Sequence, residues 1–290
     1  VKTLFSPVGV AAPKRPGNAL TGRLELSVSR LESGRTSVTH QYHAVPFHLS
    51  KTYWDGQVLM AQIINPTAGI FEGDEMECLV DVGAGASLIV TSPSAVRVHT
   101  MLDGGGAFLR QHFRVAKGGW LEVSPELFIP QRASSYRQKT EIEVDPDASL
   151  YFVETLAPGR VAHGESFAFE HLDWSFSLRI ADRLVALERA KISPPDHCWM
   201  LEVKGWEKAY YGSVWMTGPT LTDLPETLQE EIEALHDPES CLVGISKVSP
   251  QCYSIKVMAR GSIFLRRSLA AIRGIMRTPL PLLASNLRKL

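Results

Sequence analysis

One pattern recurs three times in the middle of the chain and limits the possible folds more than any single residue does. Each copy is a short alternating strand, a turn of small or polar residues, and a second strand that opens on a small residue: VDVGAGASLIV from Val80, FRVAKGGWLEV from Phe113 and IEVDPDASLYF from Ile142. The anchoring valines Val82, Val115 and Val144 lie roughly thirty residues apart, the period expected when supersecondary units stack and bury a shared core. The spacing predicts a mainly β protein, with a two-layer, β-helix-like solenoid body of stacked strand pairs.

The flanking segments carry the same period of two. Leu24, Leu26 and Val28 alternate with polar residues, as do Met76, Cys78, Val80 and Val82, and Ala107, Leu109, Gln111, Phe113 and Val115 share one side of a further strand; such alternation marks half-buried strands. Beyond about residue 215 the period changes. Leu228, Ile232 and Leu235 recur at helical spacing after Pro225, and Leu265, Leu269, Ile272 and Met276 define a last helix with Arg266, Arg273 and Arg277 on an adjoining side. We expect residues 1–18 to be disordered and 19–290 to form a single domain, mostly β to about 215 and mixed α/β from 216 to 290, with a few helices toward the C-terminus.

Charge excludes some classes. Thirty basic against thirty-one acidic residues create no field favouring nucleic acid. Residues 221–239 hold seven acidic and no basic side chains, while the last fifty residues hold nine basic and no acidic ones; the arginines of the last helix are therefore expected to meet the acidic segment at 226–233. The four cysteines form no C-x-x-C pair, and no apolar run is long enough for a membrane span. The first eighteen residues lack the apolar stretch of a secretory signal. A reducing, cytoplasmic setting is expected.

Two loops carry candidate chemistry. Asn65-Pro66-Thr67-Ala68-Gly69 followed by Gly73-Asp74 is a turn in which Asn and Gly accept positive φ; its functional reading has Asp74 present a carboxylate to an internal channel. In Gly159-Arg160-Val161-Ala162-His163-Gly164-Glu165, two glycines bracket Arg160, and Glu165 follows directly. The bend is either an Arg160–Glu165 clamp or a site where Glu165, with His163, offers donors to a borderline metal ion. His40 and His43 fall on opposite faces of a strand. No H-E-x-x-H, zinc-type cysteine spacing, P-loop or G-x-S-x-G occurs. Glu122, Glu126, Glu141 and Glu143 fall near equivalent positions of successive units, which leaves open a β-solenoid enzyme acting on polysaccharide.

The order of these motifs resembles the urease accessory protein family UreD, also called UreH. The resemblance rests on N-P-x-x-G-x-x-x-G-D at Asn65 to Asp74, V-G-x-G-A-x-L at Val82, P-x-x-x-I at Pro125 to Ile129 and G-R-x-x-x-G-E at Gly159 to Glu165. It covers roughly residues 20 to 275. Members commonly carry T-Q-x-x-x-K where this chain reads TSPSAVR from Thr91, a departure that admits a scaffold recruited to another partner. The resemblance implies no catalysis and no tightly bound cofactor. It implies an oligomeric accessory complex with the urease structural subunits, UreF and the GTPase UreG, and transient nickel passing through an internal tunnel. Asp74, Glu126 and Glu165 are the residues it suggests for that path, and Asn65, Pro66, Gly69, Gly73, Gly159, Arg160 and Gly164 those that shape the motif backbone.

Overall fold

A computed structural model describes residues 19–194, 196–203 and 205–287; the segment 1–18, expected to be disordered, lies outside the described residues. The chain passes back and forth between two sheets. A seven-stranded sheet runs in the order Arg183–Ile192, His171–Ile180, Ser135–Val144, Ala107–Val115, Glu75–Val82, Thr21–Arg30, Thr36–Ala44. Its five central strands are parallel, and an antiparallel hairpin closes each edge. Opposite it, Val58–Ile64, Ser87–Thr91, Trp120–Ser124 and Ser149–Leu156 form the parallel centre of an eleven-stranded sheet. Tyr210–Thr217, Cys252–Ala259 and Cys241–Ser249 extend it antiparallel.

The repeat is what puts the coils in register. Val82 pairs with Val115 and Val115 with Val144, while Leu88 pairs with Leu121 and Leu121 with Leu150. Each copy therefore spans one strand of each sheet, and the small residues between them make the corner. Side chains of one phase stack into ladders between the sheets: Val28, Val82, Val115, Val144 and Ile180 form one rung set, and Leu26, Val80, Phe113, Ile142 and Leu178 the next. Nearly all are fully buried, each such side chain contributing about 1.5–3 kcal/mol relative to exposure.

The opposite face of the eleven-stranded sheet is also buried, and helices cover it. Helix α1, Glu226–Glu233, turns Leu228 and Ile232 inward and leaves its glutamates exposed; helix α2, Ser262–Ile275, buries Leu265 and Ile272, and Met276 follows inside. Together they pack on Tyr151, Val153, Val214 and Ile255. Among the described residues, no ion pair joins the arginines of α2 to the acidic segment. Arg273 instead forms a two-pronged ion pair with Glu122, at 2.7 and 2.9 Å, and Arg266 contacts Glu126 at 2.6 Å. The reason is geometric: α2 packs on Tyr210–Thr217 and Cys252–Ala259, and from it Arg273 reaches Glu122, whose carboxylate has no exposure and also accepts the Ser124 hydroxyl at 2.9 Å. A buried carboxylate in this position requires a partner, and the arginine supplies it.

Candidate functional site

The ladders change character along the strands. Two residues before Ile142, the inward position is Thr140, paired across to Gln111; two further back it is Gln138, and then Tyr136. From the facing sheet comes Glu154. Tyr136 Oη donates to Gln138 Oε1 (3.1 Å), Gln138 Nε2 donates to Glu154 Oε1 (2.7 Å), and Gln111 Nε2 donates to Thr140 Oγ1 (3.2 Å). A hydrogen-bonded belt thus replaces the apolar filling.

Cavities accompany this belt. One of about 160 Å³ lies between the sheets, bordered by Gln111, Gln138, Glu154, Phe113 and Trp174 among others and reaching Asn65 and Glu126. A second, of about 240 Å³, shares Glu154 and Trp174 with the first and is bordered by Glu188 and Tyr211. A third, of about 860 Å³, shares Pro125, Glu126, Val153 and Thr155 with the first and runs under α2 past Arg266 and Arg273. Glu154 and Glu126 therefore stand at the two junctions of three adjoining cavities. Burial is the main cause that pushes the Glu154 carboxyl up to about 7, with the Glu188 charge adding to it and Lys256 opposing. The Trp174 indole N–H is buried at the same junction without a hydrogen-bond partner among the described residues.

The three carboxylates suggested by the motifs occupy separate places. Asp74 is 1% exposed, and its oxygens accept the backbone N–H groups of Leu20 (2.9 Å) and Phe71 (2.8 Å). It ties the turn to the first strand. Glu165 accepts Arg160 Nε at 2.8 Å, a second contact from Arg160 Nη2, and the N–H of Arg132 at 3.3 Å. These bonds, led by Arg160, hold its carboxyl below the usual range despite burial. The bend is thus the Arg160–Glu165 clamp, with His163 exposed in the adjoining 3-10 turn. Neither Asp74 nor Glu165 borders the three cavities; Glu126 borders two.

The motif glycines explain themselves by close approach. At Gly69, with φ of 154°, an added Cβ would lie 2.5 Å from the Arg97 carbonyl, and at Gly159, with φ of 142°, it would lie 3.1 Å from that of Glu165. Only glycine fits either place. Asn65 closes the first turn by accepting the Thr67 N–H (2.9 Å) and donating to the Gly69 carbonyl (3.1 Å), while Pro66 stays exposed. Gly73 and Gly164, at φ of 81° and 75°, likewise occupy left-handed backbone. This turn frames one end of the first cavity.

The carboxylates of a hydrolase do not converge. Glu141 and Glu143 sit on the outward face of the seven-stranded sheet, paired with Lys139 and with Arg114, whereas Glu122 lies in the other sheet and Glu126 in the loop after its strand. Among the described residues, no group of three or more His, Cys, Asp and Glu side chains could hold a metal ion, and no helix is long and apolar enough to cross a membrane. All four cysteines are unpaired and buried.

Belt residues were hard to find by sequence. Gln111 is visible as a polar residue in the phase of an apolar strand, and Gln138 and Thr140 stand in that phase too. Glu154 gives no such signal, because its strand is buried on both faces and reads as a continuous apolar run.

Comparison with known proteins identifies the fold's relatives. The family model described as UreD urease accessory protein matches residues 20–288. The chain is 40% identical to the urease accessory protein UreD of Opitutus terrae over 273 residues, covering 93% of this chain and 98% of that one. It is 31% identical to UreD of Deinococcus radiodurans, covering 77% and 78% of the two chains, and 30% identical to UreD of an Arthrobacter species, covering 78% and 77%. With a match across nearly the whole chain and the Asn65 motif turn framing its interior cavity, the protein belongs to the UreD family of urease accessory proteins.

Proposed function

We propose that this protein is a non-catalytic cytoplasmic scaffold that enables nickel insertion into apo-urease, holding urease subunits together with UreF and UreG and handing nickel through its interior. The observation that carries the reading is the line of three adjoining cavities with Glu154 and Glu126 at their junctions. A conduit must bind its ion weakly enough to release it, which suits single carboxylates, amides and water better than a closed cage of histidine and cysteine. Glu126 is the motif carboxylate on the path; Asp74 serves it by fixing the turn that borders the first cavity, and Glu165 fixes the second motif bend. Nickel here is cargo.

The test is the nickel content of urease from cells lacking this protein, complemented with wild type or with Glu126→Ala. Deletion should leave urease without nickel and Glu126→Ala should lower the content several-fold. Fully loaded urease in the deletion strain would overturn the reading.

A further inference from the structure

Beside the cavity beyond Glu154 stands a cation of the chain itself, Lys256, bonded to Glu188 and Ser213 of the cavity wall. Lys256 Nζ contacts Glu188 Oε2, accepts no bond, and donates to Ser213 Oγ at 2.8 Å. It lies 4.5 Å from the centre of the Trp215 ring and 5.9 Å from that of Tyr211. Two aromatic faces, a hydroxyl and a carboxylate make a polar-aromatic cradle for positive charge. Tyr211 Oη also donates to the other oxygen of Glu188, at 3.3 Å.

Two carboxylates, Glu154 and Glu188, border this one cavity, and the charge of Glu188 acts on Glu154. They come from different sheets, Glu188 from the edge strand Arg183–Ile192 and Glu154 from the strand Ser149–Leu156. Of the other charged groups at its walls, Arg189 is committed to Asp173 by bonds of 3.3 and 3.0 Å, and Lys191 follows two residues later on the same strand. Glu188 and Lys256 are about one-third exposed, at 35% and 37%, so this end of the cavity line meets solvent. The Trp174 N–H at the cavity wall is buried and has no hydrogen-bond partner among the described residues, and a hydrated divalent ion would bring it water.

We infer that Glu154 and Glu188 form a latent divalent-cation station whose affinity is held down by the tethered ammonium of Lys256. The inference rests on the nickel-passage reading and adds a regulatory element to it. With Lys256 in place, Glu188 is already neutralised, and an incoming ion meets one carboxyl group without a cationic partner, Glu154, which also accepts the Gln138 amide. Such a site captures weakly and releases. Without the ammonium, two carboxylates with oxygen donors nearby bind a divalent ion more tightly, because a repelling unit charge has gone and a competing partner with it.

The experiment measures nickel affinity of the purified full chain by competition with a chromophoric chelator, using wild type, Lys256→Met and the double variant Lys256→Met/Glu188→Gln. Lys256→Met should bind Ni²⁺ at least about tenfold more tightly than wild type, and the double variant should return to weak binding. Lys256→Gln, which keeps a donor toward Glu188 and Ser213, provides the same comparison where Lys256→Met does not fold. Neutral variants that fold and bind Ni²⁺ as weakly as wild type would overturn the inference. Urease nickel content in cells carrying Lys256→Met separates the two readings: tighter binding with reduced loading supports both, whereas tighter binding with unaltered loading upholds the station and removes the passage.

Discussion

The same five parallel strands build two different interiors. Toward their C-terminal ends the facing side chains are Val28, Val82, Val115, Val144 and Ile180, packed dry; toward their N-terminal ends the positions become Gln111, Thr140 and Gln138, bonded to one another and to Glu154. The backbone hydrogen bonds hardly differ. What differs is whether side chains fill the space. The apolar end supplies stability and register, and the belt end gives up packing for a line of cavities, as expected where a site is placed at the expense of core density.

The largest effect should come from the dry end. Leu178→Ala, at a side chain with no exposure, should destabilise by about 2–5 kcal/mol, measured by urea denaturation, without altering nickel delivered per folded molecule. Next comes the clamp at the motif bend. Glu165→Ala leaves Arg160 unpaired and the Arg132 N–H without its acceptor, and should cost about 1–3 kcal/mol; loss of urease loading together with unchanged stability would show that Glu165 acts otherwise than through the bend.

Glu154→Gln should move stability in the opposite direction. The folded protein holds this proton up to about 7, whereas an ordinary glutamate releases it near 4.5. Between these values the folded state binds more protons than the unfolded one, so stability falls as pH rises through the window and stays lower above it. Removing the charge should therefore stabilise the protein at pH 8 by about 1–3 kcal/mol, reduced from the full linkage value because the residue keeps some contact with water, and the gain should vanish near pH 4. Melting curves at the two pH values check the sign. The smallest effect belongs to the solvated outer face: Glu143→Gln, which breaks contacts to Arg114 and His112, should change stability by less than about 0.5 kcal/mol.

The contrast between the two ends also explains what could be read from sequence. Val82, Val115 and Val144 announced the stacking because a solenoid aligns like residues on successive coils, and their pairing places them on one rung. Gln111 was legible as a polar residue in an apolar phase. Glu154 was not, since a strand covered on both sides has no polar face to set the phase. The partner of Arg273 was hidden for a related reason: net charge pointed to the glutamates of α1, but those stay in water, while Glu122 sits inside the apolar stretch Trp120–Ser124. Helix periodicity shows which side of α2 is basic and carries no information on which strand lies beneath it.

The most direct measurement is nickel bound per urease active site in cells whose own copy of this protein is replaced by Glu154→Gln or by Leu178→Ala, compared at equal amounts of folded protein. The account predicts that Leu178→Ala loads urease like wild type and that Glu154→Gln, although the more stable protein, loads it several-fold less. Equal loading by both variants would contradict it.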